Sequence, residues 1–137
     1  MTYKDLYKAF LTSDDTLMIY REEKLVFSSQ NERLMPLMDY LHSNVDLEPV
    51  VIFDKVMGNA ASCLTVQANA KEVFSPLGSE LGIKTLKKNK ITYHLDKVVP
   101  YIMQDNGVDM CPMEKLSKDK TPEEFYGEMK RRVEGKK

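Results

Sequence analysis

The sequence predicts one α/β domain, spanning residues 1–137, in which helices cover both faces of a mixed five-stranded sheet in three αβα layers. Its 137 residues, of which 42% are hydrophobic and 30% charged, suit one ordinary hydrophobic core. Two short β-rich runs separated by a few polar residues predict an opening hairpin. Strand-like and helix-like segments then alternate, as they do when parallel strands are joined by right-handed helical crossovers.

The first half of the chain contains a helix, the hairpin, a second helix and a buried strand. Apolar residues at helical spacing predict an amphipathic helix over the first dozen residues. The hairpin strands are predicted at 16–20 and 24–27. An apolar stripe predicts the second helix at about 34–43, with Pro36 in its first turn. The run at 49–53 is apolar without alternation, which predicts a central strand buried on both faces.

The second half alternates between the two kinds of element. Small residues at 58–64 predict a helix whose backbone approaches its neighbours closely. A strand at 70–74, a short helix at 80–88 and a half-polar strand at 91–95 follow. A terminal helix is predicted at about 122–134, because Thr121 supplies a hydroxyl cap, Pro122 suits the first turn and Glu124 stands three residues after the cap.

The composition disfavours two classes of partner. The chain has 20 Lys and Arg against 21 Asp and Glu, so its net charge of −1 creates no global field that attracts nucleic acid or anionic lipid. Apolar runs such as 50–53 are far shorter than the roughly 20 residues that span a bilayer. The chain is therefore predicted to bind neither nucleic acid nor membrane. Separately, two cysteines and the lack of a leader-like apolar run predict a reduced, cytoplasmic protein.

The first candidate site follows the predicted buried strand, at the sheet edge where ligands of α/β proteins collect. Asp54 and Lys55 come first, and Gly58 and Asn59 then open a helix whose amide groups point at the site. This order predicts a small polar or anionic ligand, with Asp54 in the catalytic set. Lys55, Gly58 and Asn59 are the predicted ligand-binding residues. The alternative is structural: Asp54 caps the helix, Lys55 is solvated and Gly58 permits close packing.

The second candidate site is Cys111, which Pro112 places at the start of a predicted helix. Amide dipoles at such a position stabilise a thiolate, so Cys111 is the predicted nucleophile. Glu114 would either bond back to the Cys111 amide, as in a capping box, or protonate a leaving group. The preceding turn, residues 105–109, carries two acids that either orient a ligand or stay hydrated. The alternative is an inert cysteine before an ordinary helix start.

Three other features have structural explanations that compete with functional ones. Cys63 lies in the small-residue helix and is expected to pack there. His94 is a conceivable partner for Cys111, but neither His94 nor His42 lies in a metal-ligand pattern, so no metal or other cofactor is expected. A solvated helix face is a commoner explanation than a phosphate-attracting patch for the lysines Lys84, Lys87, Lys88 and Lys90.

Ordered segments of the chain resemble the domain-of-unknown-function family 1893 over roughly residues 5–118. The segments that carry the resemblance are Leu25-Val26-Phe27, Pro36-Leu37, Asp54-Lys55-Val56-Met57-Gly58-Asn59-Ala60-Ala61, Val98-Val99-Pro100-Tyr101-Ile102 and Cys111-Pro112-Met113-Glu114. The resemblance implies a cytidine-deaminase-like topology. In zinc deaminases, the helix after the hairpin carries His-x-Glu or Cys-x-Glu, and the next carries Pro-Cys-x-x-Cys. Residues 33–36 and 54–58 stand at these places without the zinc ligands, so the resemblance implies a deaminase-like pocket without a metal.

Two functional hypotheses follow. The leading one is an enzyme, or former enzyme, that acts on a small polar molecule, for example a nucleotide-like one. In it, the Cys111 thiolate is the nucleophile and Glu114 the acid or base, while Asp54 and Lys55 orient the ligand. The alternative is a non-catalytic ligand-binding or redox-sensing module with the same accessible thiol. A purely structural interaction protein, which would show neither turnover nor a retained ligand, also stays open. The family has no established reaction, so the resemblance leaves the substrate and the oligomeric state open.

Overall fold

The fold combines six helices with five strands in the part of the chain that a computed structural model describes, residues 2–43, 48–104, 107 and 109–134. In chain order these elements are α1 (Tyr3–Thr12), β1 (Leu17–Arg21), β2 (Lys24–Ser29), α2 (Met35–Ser43), β3 (Val50–Asp54), α3 (Asn59–Gln67), β4 (Ala70–Ser79), α4 (Glu80–Lys88), β5 (Thr92–Val99), α5 (Pro112–Ser117) and α6 (Pro122–Glu134).

The five strands form one mixed sheet in the order β2-β1-β3-β4-β5. Strand β1 runs antiparallel to both of its neighbours, whereas β3, β4 and β5 are parallel. The two parallel connections pass through α3 and α4, because a parallel pair needs a crossover rather than a tight turn. The predicted α/β class and mixed five-stranded sheet are confirmed.

Helices cover both faces of this sheet. Helix α1 packs Tyr7 and Phe10 against Phe53 and Phe74 on one face. The opposite face carries the larger core, which receives side chains from α2, α3, α4 and α6. Helix α3 contacts both α5 and α6, and its residues from Asn59 to Thr65 are all buried. Helices α5 and α6 therefore add a partial layer beyond the three that the sequence predicts.

The predicted hairpin forms, and its two-residue turn, Glu22 and Glu23, has positive φ angles at both positions, as such turns require. Strand β4 runs past the predicted end at residue 74 to Ser79. Pro76 lacks an amide hydrogen and cannot donate to a neighbouring strand. The Ser75 hydroxyl donates to the carbonyl oxygen of Leu77 and accepts its amide, and these bonds hold the strand on either side of the proline. Within the described ranges, no helix is long and apolar enough to cross a membrane.

Candidate functional site

The predicted sites meet where α3 begins, just beyond the carboxyl end of β3. Gly58 is the N-cap of α3. A Cβ atom at this residue would lie 2.6 Å from Cγ1 of Ile102 and 3.0 Å from Oε1 of Glu114, so only glycine lets these groups come this close. These contacts match the structural alternative for Gly58, in which the glycine permits close packing.

Glu114 is the centre of the contacts at this point. Its side chain is only 2% exposed, although a lone buried carboxylate is costly. Oε1 accepts the backbone amide of Asn59, and Oε2 accepts that of Ile102, both at 2.6 Å. The Asn59 amide is one of the first-turn donors of α3 that have no partner inside the helix. Glu114, which belongs to α5, therefore joins that helix both to the start of α3 and to the segment that follows β5.

The capping box predicted within α5 does not form. The Cys111 amide donates instead to the carbonyl oxygen of Ile102 at 2.9 Å. The two oxygens of Glu114 serve the amides of Asn59 and Ile102, which lie far away in the sequence but face α5 in the fold. The carboxylate of Glu114 thus binds amides of other segments instead of the Cys111 amide of its own helix.

Asn59, a predicted ligand-binding residue, uses both ends of its side-chain amide within the protein. Its Nδ2 donates to Oγ of Ser117 at 3.0 Å, and its Oδ1 accepts from Oγ1 of Thr85 at 2.5 Å. Ser117 in turn donates to the carbonyl oxygen of Glu114. Asn59 thus links α3 to α4 and α5, and with 4% of its surface exposed it faces the interior.

Asp54 ends β3 and is buried, at 8% exposure. Its Oδ1 accepts the amide of Val56 at 3.3 Å. Burial raises the pKa of this carboxyl from 3.8 to about 7, against the smaller opposite effect of hydrogen bonds from the Val56 and Lys55 amides. Asp54 does not cap α3, since Gly58 occupies the cap position.

Lys55 is directed away from the other predicted site residues. Its ammonium donates to the carbonyl oxygen of Ser13, just after α1, at 2.9 Å. It also lies 4.6 Å from the centroid of the Phe10 ring, in the range of a cation–π contact. Phe10 belongs to the core on the α1 face, opposite the face that α3 covers. The structure therefore brings Gly58, Asn59 and Glu114 together and directs Lys55 to α1.

The two cysteines differ in accessibility, and both are free thiols. Cys111 is half-buried and is the N-cap of α5, with Pro112 in the first turn, as predicted. Its side chain makes no capping hydrogen bond to the amides of that helix. Cys63 is fully buried in the core, where burial, with help from the Glu114 charge, raises the pKa of its thiol to about 11. The predicted packing role of Cys63 is confirmed.

The conceivable pairing of Cys111 with His94 is not made. The His94 ring stacks on Phe74, with 4.3 Å between ring centroids, and its Nε2 lies 2.6 Å from a carboxylate oxygen of Glu72. Phe74 belongs to the core on the α1 face, whereas α5 packs on α3 across the sheet. Among the described residues no three His, Cys, Asp or Glu side chains group as metal ligands. Residues 105, 106 and 108 of the predicted ligand-orienting turn lie outside those residues.

An open cavity of about 410 Å³ lies between α5 and α6. Pro112, the residue after Cys111, is one of its lining residues, and three cationic side chains line it together with apolar Met113 and Leu116. The cations are Lys115, Lys120 and Arg132, and the one carboxylate is that of Asp119. This cavity combines positive charge with apolar surface, which suits a small organic anion.

Sequence reasoning missed the partners that complete the Asn59 and Glu114 contacts. Thr85, Ile102 and Ser117 come from three separate segments, and nothing in their local sequence marks them as neighbours of α3. The one available signal is the spacing of Ser117 from Glu114, three residues along a helix, which places both on one face.

Comparison with known proteins identifies the fold but no activity. A family model described as a domain of unknown function, DUF1893, matches residues 5–132. The chain is similar to the crystal structure of a DUF1893 family protein from Thermotoga maritima, with a TM-score of 0.85 and 23% sequence identity. That similarity covers 95% of this chain and 88% of the relative, and at this identity it shows a shared fold alone. No curated protein matches the chain.

Proposed function

The chain belongs to the DUF1893 family, and we propose that it is a non-catalytic module that binds a small anionic molecule beside the accessible thiol of Cys111. The observation that carries this proposal is the state of Glu114. Both of its carboxylate oxygens accept backbone amides, one buried and one part-buried, so the group holds the fold together and is not aimed at a ligand. An acid or base must reach the proton that it transfers. The geometry thus favours the binding alternative over an enzyme that uses Glu114.

The cavity between α5 and α6 supports the choice of an anion. Lys115, Lys120 and Arg132 line it, and Met113 and Leu116 add apolar surface. Arg132 is also paired with Glu128, so among the described residues Lys115 and Lys120 carry the unpaired positive charge. A molecule held there would lie next to the N-terminal turn of α5. This site replaces the predicted arrangement, in which Lys55 and Asn59 held the ligand.

The fold proposed for this module is cytidine-deaminase-like, without the zinc site. The strand order β2-β1-β3-β4-β5 with an antiparallel β1 supports this topology, as does the helix after each parallel strand. On this proposal the chain is a former enzyme that has kept the architecture of a deaminase. A cytoplasmic location, also proposed, agrees with two cysteines that are both free.

The accessible thiol is tested by alkylation. Native protein at neutral pH is treated with limiting iodoacetamide, and the labelled peptides are identified by mass spectrometry. Cys111 should be labelled first, and Cys63 only after unfolding, because Cys63 is buried and its thiol pKa is raised to about 11. Equal labelling of the two cysteines, or labelling of Cys111 only after denaturation, would contradict the proposal.

The binding site is tested with a pool of small cellular anions. The protein is passed through a gel-filtration column after incubation, and retained molecules are identified by mass spectrometry. Lys115→Glu should abolish retention of at least one anion that the native chain retains, whereas Lys97→Glu, the same change at an exposed strand position, should not. Loss of retention in both variants would point to bulk charge and against this cavity.

A further inference from the structure

We infer that a second cavity, between α4 and the connection from α5 to α6, is a seat for the phosphoryl group of a small metabolite. Its volume is about 510 Å³, within the range of small-molecule sites. Four lysines line it: Lys84 and Lys88 from α4, and Lys118 and Lys120 from the connection. The lysines of α4 by themselves suggested a solvated face, but the fold places two more lysines opposite them.

The positive charge of this cavity is largely uncompensated. Among the described residues, none of its four ammonium groups belongs to an ion pair. One carboxylate, that of Asp119, also lines the cavity, and Glu124 lies close enough to Lys120 for their charges to interact. Because the whole chain has a net charge of −1, this surplus is local. An anion would relieve the repulsion between these cations.

Helix electrostatics explain only part of this arrangement. Lys88 lies in the last turn of α4 and interacts favourably with the helix dipole there, and Lys120 donates to the carbonyl oxygen of Leu116, near the end of α5. Lys84 lies outside the last turn and one helical turn before Lys88, so the two like charges share one face and repel each other. Lys118 is the C-cap of α5, where a cation is also favourable, so among the described residues Lys84 is the lysine of this cavity whose position no partner or helix end explains.

The neutral polar side chains that line the cavity already have hydrogen-bond partners within the protein. The Thr85 hydroxyl donates to Asn59, and Nδ2 of Asn89 donates to the carbonyl oxygen of Thr85. Thr121 exchanges hydrogen bonds with Glu124 at the start of α6. With these groups engaged, the lysine ammonium groups are left as the donors to a ligand. Ammonium groups act as point charges for phosphate, which indicates a phosphorylated small molecule.

This seat is independent of the function proposed for Cys111. The two cavities share Asp119 and Lys120, but Lys84 and Lys88 line only the second one. A Cys111→Ser variant should therefore bind phosphorylated ligands as the unmodified chain does. If the thiol proves inert, the seat stands, and if the seat fails, the reactivity of Cys111 is unaffected.

The test is titration calorimetry at low ionic strength with four probes: inorganic phosphate, pyrophosphate, ATP and adenosine. The phosphate-bearing probes should bind and adenosine should not. Binding of ATP but not of the inorganic anions would show that an organic moiety is needed as well, and it would keep the seat. The Lys84→Ala, Lys88→Ala double variant should weaken binding by about tenfold or more, since it removes two of four nearby charges.

The matched control is the Lys71→Ala, Lys97→Ala double variant, which removes the same charge from exposed positions on β4 and β5. It should change binding less than about twofold, since distant surface charges are screened. Absence of binding by all phosphate-bearing probes would overturn the seat. Equal weakening in the two double variants, or a loss of binding in Cys111→Ser, would also overturn it.

Discussion

Replacing Glu114 with glutamine tests whether this carboxylate holds the fold together. The native side chain, 2% exposed, accepts two amides at 2.6 Å, from Asn59 and Ile102. Glutamine has nearly the same shape but only one acceptor oxygen, and its NH₂ group would face one of the two amide donors. One buried amide hydrogen would therefore lose its partner.

The expected cost follows from these contacts. A hydrogen bond to a charged group contributes about 1.5–3 kcal/mol, and the remaining bond would lose its charge, so Glu114→Gln should destabilise the fold by about 2–3 kcal/mol. At this chain length, about 3 °C of melting temperature corresponds to 1 kcal/mol, which gives a decrease of about 6–9 °C. Thermal unfolding followed by circular dichroism measures this shift.

The matched control is Glu123→Gln, in the first turn of α6, where the glutamate is exposed. It should change the melting temperature by about 1 °C or less, since a charge near a helix start contributes only a few tenths of a kcal/mol at an exposed position. If both variants melt within about 1 °C of the native chain, Glu114 does not hold these elements together and its role as an acid or base regains support.

Two further substitutions test the surroundings of this site. Burial raises the pKa of Asp54 to about 7, so the native state keeps its proton while the unfolded chain releases it near pH 4. Between about pH 4 and 7 the native state binds one proton more than the unfolded chain at this carboxyl. The free energy of unfolding therefore falls as the pH rises through this range. Asp54→Asn should therefore raise the melting temperature more at pH 8 than at pH 5, whereas the exposed control Asp14→Asn should show no such difference. Gly58→Ala should destabilise the protein by about 1–3 kcal/mol in urea unfolding, because its Cβ would lie 2.6 Å from Ile102, while Gly127→Ala, with open space around it, should stabilise α6 by about 0.5–1 kcal/mol. Equal effects of the two alanines would refute the packing argument.

The periodicity of the sequence predicted the elements that depend on local pattern. The run at 49–53 has no polar residue, and β3 is buried along its whole length. Proline after Cys111 and the capping residues at 121–124 placed the starts of α5 and α6. These features depend on a few neighbouring residues, which is why a single sequence contains enough information.

The contacts of the candidate site depend on distant residues and were not predictable in this way. Glu114 bonds to an amide 55 positions earlier in the chain. Asp54 and Lys55 are neighbours in the sequence, which predicted a joint role, but Asp54 is the last residue of β3 and Lys55 lies in the bend that follows it. Asp54 therefore pairs in register with Leu17, of the larger core, and Lys55 reaches α1.

A comparison of turnover in the native chain and in a Cys111→Ser variant tests whether the protein binds its ligand without catalysis. Each is incubated with a pool of small metabolites, and mass spectrometry follows both the molecules consumed and the molecules retained by the protein. We expect retention of an anionic molecule and no consumption beyond that in a protein-free control. Consumption of a metabolite by the native chain that the Cys111→Ser variant abolishes would contradict it and establish thiol catalysis instead.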